Sequence, residues 1–438
     1  MNFPGTPHID PAMQQFRPEQ LVITVEKNGS RRFTKSGQPT RFGKYAEIRT
    51  RDHEFHFNLN GQIKFIRGLS SDWPHPFESL KRTDGNDWVY YSVGAAIQQQ
   101  GIRKWLGEYY LPCFAYQSNA IVKFTPYFHP AVSGAFGAWA QLYANIRTMP
   151  MDGFPSRTRA FLNRVSENDD SALHARTENL HTIIGGQVSV LPPDTRHVDY
   201  DVIPLNISDG CLYHCKFCCV KSSKRFQLRS SENIREQVRN LKDLYGRNLK
   251  NYSSLFIGNH DALGAGEDSI CMAASEAFNI FDIGNANISD PRLFMFGSVD
   301  SFLKADDSLF ENLDRLPFFT HINIGLESVD AETLAKIGKP LTVANIHTAF
   351  AKMTDVNRAH KNIEITANFL LGDPLSQDHH QSLADLLGNV SDIPPGKGAI
   401  YLSPMAGHNQ ESDELLQSFF KIKNKSRMPV FIYLIQRL

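Results

Sequence analysis

Asp201-Val-Ile-Pro-Leu-Asn-Ile207 runs, three residues later, into Cys211-Leu-Tyr-His-Cys215-Lys-Phe-Cys218. An apolar, strand-like run thus opens into three thiols within eight residues. Thiolates this close together bind soft iron or zinc far better than they fill a core. Their C-x-x-x-C-x-x-C spacing is not that of a zinc ribbon, which pairs two separated C-x-x-C clips. Nor is it the bacterial ferredoxin run, which brings a fourth cysteine. Three ligands on one loop can hold three irons of a cubane and leave the fourth open to a small molecule. The same string can also mark a zinc site.

Outward from this point, strand-like runs alternate with helical ones. Val202–Ile207 reads as the first strand, with a helix at Ser231–Leu244 whose Ile234, Val238 and Leu241 share a face. Ser254–Ile257, Arg292–Phe296, His321–Ile324, Asn362–Leu371 and Ala399–Leu402 follow as strands two to six. Between them lie helical runs at Asp268–Phe281, Asp307–Leu316, Ala331–Ile337 and His379–Val390, and Met428–Ile435 reads as a closing strand. Parallel strands need crossovers, so six β/α units predict a curved, mostly parallel sheet with helices outside. Ligands in such folds sit at the carboxyl ends of the strands.

The cysteine spacing, with Phe217 before the third thiol, resembles the radical S-adenosylmethionine (radical SAM) superfamily. The resemblance implies a partial (β/α)6 barrel and a 4Fe–4S cluster on Cys211, Cys215 and Cys218. The open iron would chelate S-adenosylmethionine, whose adenine would lie against the backbone around Phe217. Three more segments carry the likeness. Gly258-Asn259-His260-Asp261 stands where the family has a glycine-rich turn that accepts the cofactor's amino group. Asn259 and His260 interrupt the glycines, so Asp261 or backbone carbonyls would supply the acceptors. Gly325-Leu326-Glu327-Ser328 is similar to the G-[LV]-[EQ]-S signature that faces the methionine or ribose, and Ser328 and Asp330 also suit a helix cap. Phe369-Leu-Leu371-Gly372-Asp-Pro374 resembles the segment that packs on adenine, and Ser298 after the third strand suits a ribose contact. Among branches, the likeness is greatest to coproporphyrinogen-oxidase-like and elongator-catalytic-subunit-like enzymes. It implies reductive cleavage of S-adenosylmethionine to a 5′-deoxyadenosyl radical that takes hydrogen from a substrate, with electrons from a donor such as flavodoxin or ferredoxin. An iron–sulfur or zinc protein with a redox or structural role, and no radical chemistry, is the other reading.

Upstream, residues 1–190 read as a separate α+β domain, strand-rich over 20–92 and helical over 94–180, with the radical SAM core and a short C-terminal extension over 198–438. Leu21–Glu26, Tyr45–Thr50, Glu54–Leu59 and Gln62–Ile66 alternate as strands, and Asn60-Gly61 is a strong hairpin signal. Ala131–Arg147 and Arg157–Val165 read as amphipathic helices, and Leu191–Thr195 as a turn-rich linker. Forty-six basic side chains balance forty-six acidic ones, which argues against recruitment of nucleic acid by a long-range field. No run approaches the ~18 apolar residues of a membrane span. Four of the six cysteines fall in residues 211–219, so a reducing cytoplasm is the expected setting rather than a disulfide scaffold. Cys219, next to the third ligand, points away from the same cubane and reads as a small core residue or, in the sharper reading, as a thiol that donates a hydrogen or binds substrate. The sequence names neither substrate nor oligomeric state.

Overall fold

A computed structural model describes residues 14–16, 21–33, 42–73, 88–93, 130–188, 191–198, 201–213, 215–218, 224–372, 375–391, 394–405 and 412–437. The expectations attached to Cys219 and to Asp373-Pro374 fall outside these residues.

The amino-terminal part is an antiparallel sheet of β1 (Gln14–Phe16), β2 (Val22–Asn28), β3 (Lys44–Arg49), β4 (His53–Phe57) and β5 (Ile63–Gly68) in sequential order. Its alternation buries Ala46, Ile48, Phe55 and Phe57 on one face. That face packs on Trp139, Leu142 and Ile146 of α1 (Pro130–Thr148) and on Phe161 and Leu162 of α2 (Ser156–Ser166), forming a core of its own. The opposite face is polar: Glu47 takes Lys27 at 2.9 Å and lies 3.3 Å from His56, while Arg67 holds Glu54 at 2.7 Å. The hairpin tip docks on the second unit, where Asn60 donates to the Tyr245 carbonyl at 2.8 Å.

α3 (Asp170–Ile184) leads through a 3-10 turn (Pro193–His197) to β7 (Ile203–Leu205). The small hairpin β8 (Ser208–Asp209) and β9 (Gln227–Leu228) precedes α4 (Ser231–Tyr245), β10 (Ser254–Ile257) and α5 (Gly266–Ile280). Then come β11 (Arg292–Gly297), α6 (Val299–Lys304), α7 (Asp307–Arg315), β12 (Phe319–Glu327), α8 (Ala331–Ile337), α9 (Val343–Ala359) and β13 (Ile363–Leu371). α10 (Gln377–Gly388), β14 (Ile400–Pro404), α11 (Ser412–Lys425) and β15 (Val430–Arg437) complete the chain. Strands β7, β10, β11, β12, β13, β14 and β15 lie side by side, all parallel, with their sequence order kept across the sheet. An eighth parallel strand, β6 (Trp88–Val93), joins the far edge against β15. The α/β fold with a separate amino-terminal sheet domain is therefore as expected, but the sheet is wider than six strands. Its edge is covered by a strand from far upstream, a pairing that no local pattern announces.

Three further differences have physical causes. Helices α6, α9 and α11 lie outside the helical runs that the sequence pattern marks. α9 starts with a capping box in which Asn345 replaces the usual Glu or Gln, and its face of Ile346, Ala349, Phe350, Met353 and Val356 is interrupted by polar and β-branched residues. β12 runs past Ile324 to Glu327, so the Gly-Leu-Glu segment is the strand's own end, carried there by a bulge between Gly325 and Glu327. The stretch expected as a linker is instead buried: Asp194 accepts from Tyr401 at 2.8 Å and Thr366 at 2.9 Å, and Arg196 donates to the Tyr401 hydroxyl at 3.0 Å. Burial pushes the Asp194 carboxyl up. Turn composition marks where chain direction changes, not whether the turn lies inside or outside.

Candidate functional site

The three thiols sit beyond the carboxyl end of β7, on a loop pinned at both ends. At its base Gly210 has φ 78°, and a side chain there would come within 2.3 Å of the Arg225 carbonyl oxygen, so glycine lets the two limbs of the loop close. β8 and β9 pair just outside this point, and Arg229 clamps Asp209 from two nitrogens at 2.8 and 2.9 Å. Further along, the Lys216 N–H donates to the Ile337 carbonyl at 2.8 Å, tying the loop to the end of α8, and the Cys218 N–H reaches the Cys215 carbonyl at 3.3 Å. Phe217 packs partly buried on the main core. Cys211, Cys215 and Cys218 are not joined in disulfides. Burial pushes the Cys211 and Cys215 thiols up, and the Lys339 ammonium beside both acts in the opposite direction.

Lys339 is a buried charge beside the thiol loop that the sequence pattern does not single out. It is 7% exposed, pairs with Glu327 at 3.2 Å, donates to the Gly325 carbonyl, and lies 5.6 Å from the centre of the Tyr213 ring. A buried lysine needs such partners, because an isolated ammonium is too costly to bury. Glu327 adopts φ 67°, a strained conformation for a residue with a side chain. Gly325 leaves room for it: a Cβ there would lie 2.4 Å from a Glu327 oxygen. The only signal was that Lys339 closes the short helix after Glu327, a weak cue without coordinates.

The other expected contacts fall into two groups. Asp261 and Ser298 are brought together: one Asp261 oxygen accepts the Ser298 N–H and the other the Ser301 hydroxyl, each at 2.8 Å. The buried Asp261 carboxylate thus braces the start of α6, which Ser298 caps. Gly258 begins its turn with φ 73°, while the Asn259 amide donates to Gln187 at 3.2 Å. Leu371 is buried and Gly372 follows with φ 131°. Asp330, not Ser328, caps α8 by accepting from Thr333, and Ser328 accepts the Asp330 N–H at 3.0 Å.

Ser328 also donates to His379 Nδ1 at 2.7 Å, because Nε2–H of that ring is committed to the Leu370 carbonyl at 3.0 Å. Burial depresses the His379 pKa to about 4. Between about pH 6.5 and pH 4 the unfolded chain therefore binds a proton that the folded chain refuses. Stability falls by roughly 3 kcal/mol as pH drops through that window. Urea unfolding of His379→Gln protein should lose this part of the pH dependence; an unchanged profile would remove His379 as its source.

Below the strand ends the concave face of the sheet is polar. Asn323 and Asn368 exchange hydrogen bonds at 2.6 and 3.2 Å above the Thr366–Asp194–Tyr401 chain. Toward the opposite end of the strands His321 lies 3.2 Å from Glu364 and receives Arg292 at Nε2 at 2.8 Å. Arg292 can only donate, so the His321 proton belongs on Nδ1, facing Glu364. The His197 ring stacks on that of His321 at 5.0 Å, and ligand-capable atoms of His197, His321 and Glu364 lie within 4.8 Å of one another.

The carboxyl end of a parallel α/β sheet thus carries a three-thiol loop, a turn braced by Asp261 and a buried Glu–Lys pair. The radical SAM superfamily model matches residues 205–387, and this part of the chain is a radical SAM domain, an enzyme domain. Among solved structures the chain is similar to the cobalamin-dependent S-adenosylmethionine radical enzyme OxsB, at 16% identity and a TM-score of 0.34 over 53% of this chain and 32% of that one. It is also similar to a radical SAM methyltransferase from Sphaerobacter thermophilus, at 14% identity and a TM-score of 0.34 over 53% of this chain and 66% of that one. A third is methylornithine synthase, at 10% identity and a TM-score of 0.32 over 66% of this chain and 85% of that one. The chain spans a third of the first of these and just under two thirds of the second, and scores this low carry no argument about what it acts on. No curated protein matches it.

Proposed function

We propose that this chain is a radical SAM enzyme in which Cys211, Cys215 and Cys218 hold a 4Fe–4S cluster and S-adenosylmethionine binds at the cluster's open iron. The observation that carries this reading is the convergence, at one end of a radical SAM domain, of three cysteines outside any disulfide with the buried Lys339–Glu327 pair. The donor set suits the group. Three thiolates on one loop leave one corner of a cubane open to a small molecule, whereas a structural zinc site is closed by four protein ligands. When bound, cluster and cofactor together supply the one-electron cleavage that yields methionine and a 5′-deoxyadenosyl radical.

The chain's own residues orient and shield. Lys339 offsets the negative charge gathered by three thiolates, and Glu327, fixed by Lys339, presents a polar edge to the methionine or ribose part. Each Asp261 oxygen already accepts one hydrogen bond, from Ser298 or Ser301, so the backbone carbonyls of the 258–261 turn share with the remaining Asp261 lone pairs the task of accepting from the cofactor's amino group. Leu371 and Gly372 flank the adenine side, as does the backbone at Phe217. The partly exposed Asn368, hydrogen-bonded to Asn323, offers an uncharged polar floor to a substrate. A cytoplasmic setting and a protein electron donor belong to the same proposal. Among the described residues no helix is long and apolar enough to cross a membrane.

The test is anaerobic reconstitution with iron and sulfide, followed by S-adenosylmethionine and dithionite. Dithionite-dependent 5′-deoxyadenosine and methionine are expected. A fully loaded, reducible cluster that leaves the cofactor intact would favour the iron–sulfur protein without radical chemistry, and stoichiometric zinc in place of iron would favour the zinc protein.

A further inference from the structure

The amino-terminal unit carries a cavity that the reaction proposed above does not use. It encloses about 260 Å³ between α1 and the start of α3, with Phe136, Trp139, Ala140 and Tyr143 on one side and Asp169 and Asp170 on the other. Positions 136, 139, 140 and 143 share one face of a helix. Three of them are aromatic, and the fourth is an exposed alanine whose small side chain leaves a gap between the rings. Trp139 is fixed by the core, its ring centre 6.0 Å from that of Phe55 and 5.6 Å from those of Phe57 and Tyr143. The Tyr143 hydroxyl is held too, donating to the Ser166 carbonyl at 2.7 Å. The aromatic wall is therefore in place without a ligand. The opposite wall is negative. Asp169 is exposed and caps α3, one of its oxygens accepting the Ala172 N–H at 2.8 Å, and Asp170 opens the helix beside it. A helix N-terminus carries roughly half a positive charge, which two carboxylates outweigh. Tyr143 registers the resulting field: burial, and then the Asp169 charge, hold its phenol above the usual range. Among the described residues no basic side chain lines the cavity, and the exposed Arg147 stands 6.0 Å from the centre of the Tyr143 ring.

Aromatic faces and carboxylates both attract a cation. The walls also select which cation. An ammonium that carries N–H groups needs an acceptor for each, and the ring faces and the Ala140 methyl offer no oxygen or nitrogen. A fully methylated ammonium has no N–H to satisfy and brings its charge to the ring faces through its methyl groups. The volume lies below the ~300–1,000 Å³ of sites that enclose a whole drug-sized ligand, so a head group is what fits. We infer that Phe136, Trp139 and Tyr143, with Asp169 and Asp170, form a binding site for the quaternary ammonium head group of a small molecule. The site lies in the amino-terminal unit and does not depend on the proposed cluster chemistry.

Choline is the probe and its neutral isostere 3,3-dimethylbutan-1-ol the control, each titrated calorimetrically into the full chain at constant ionic strength. Choline should bind about tenfold more tightly than the isostere, because only choline carries the charge. Asp169→Asn keeps a helix cap while removing one carboxylate, and should weaken choline about fivefold with the isostere unchanged. Phe136→Leu keeps an apolar side chain while removing a ring face, and should weaken choline by a similar factor. Far-UV circular dichroism checks that both variants fold. Equal affinities for choline and the isostere would reduce the cavity to an apolar hollow and overturn the site, as would choline affinity unchanged in both variants or no saturable choline binding at all. Ethanolamine binding more tightly than choline would overturn the quaternary assignment, and a trimethyllysine peptide that binds where choline does not would overturn the small-molecule one.

Discussion

Cys215→Ala protein is expected to leave anaerobic reconstitution with no cluster, whereas the unsubstituted protein should take up about four irons per chain. Of the three proposed ligands, Cys215 is the most enclosed, at 7% exposure, and its neighbour Lys216 is fastened to the end of α8 through the Ile337 carbonyl. Removing its sulfur takes away one corner of a three-point attachment at the place where the loop is least able to shift another donor inward. The loss should therefore be complete rather than graded. Iron and sulfide analysis with visible absorbance reads the effect, and far-UV circular dichroism checks that the sheet persists. Two comparisons make the result specific. Cys271→Ala, altering a half-buried thiol on α5 outside the loop, should load normally. Cys219→Ala should do so as well, since Cys211, Cys215 and Cys218 already make up the proposed ligand set. A Cys215→Ala protein that loads fully would remove the proposed ligand set, and a Cys219→Ala protein that loads none would replace Cys218 or add a ligand to it.

What the sequence made legible follows from the range of the interactions concerned. Short buried strands such as Ser254–Ile257 are bounded by turn residues, and helices such as Ala331–Ile337 carry an acidic N-cap and a glycine stop, so both appear at their observed limits. The thiol loop was legible because its ligands lie within eight residues. The rest depends on partners far apart in the chain. β6 pairs with β15 across more than three hundred residues, and Asp194 meets Tyr401 only because the turn before β7 is folded into the sheet. Asp261 was identified as polar at a strand end, yet its role is decided by Ser298 and Ser301, some forty residues away. Lys339 illustrates the same limit. In sequence it follows a helix-ending glycine and reads as a solvated lysine, and only the bulge at the end of β12 turns Glu327 back to meet it.

That ion pair gives the second large effect. Lys339→Met should destabilise the protein by about 3–5 kcal/mol, because it leaves the Glu327 carboxylate buried without a countercharge and the Gly325 carbonyl without its donor. Were the pair only structural, Lys339→Met combined with Glu327→Leu should restore most of the lost stability, since two apolar groups of similar volume remove both charges together. We expect that recovery in urea unfolding, and we expect the recovered protein still to fail with the cofactor. With Lys339 gone, nothing at this position offsets the thiolates, and with Glu327 gone the strand end presents no polar group. The affinity for S-adenosylmethionine, read from the change it causes in the electron paramagnetic resonance spectrum of the reduced cluster, should fall at least tenfold, or about 1.4 kcal/mol. Stability and cofactor binding thus separate in one variant. A double variant that regains both would reduce the pair to a packing element, and one that regains neither would show that the strained backbone at Glu327 needs its own side chain to hold it.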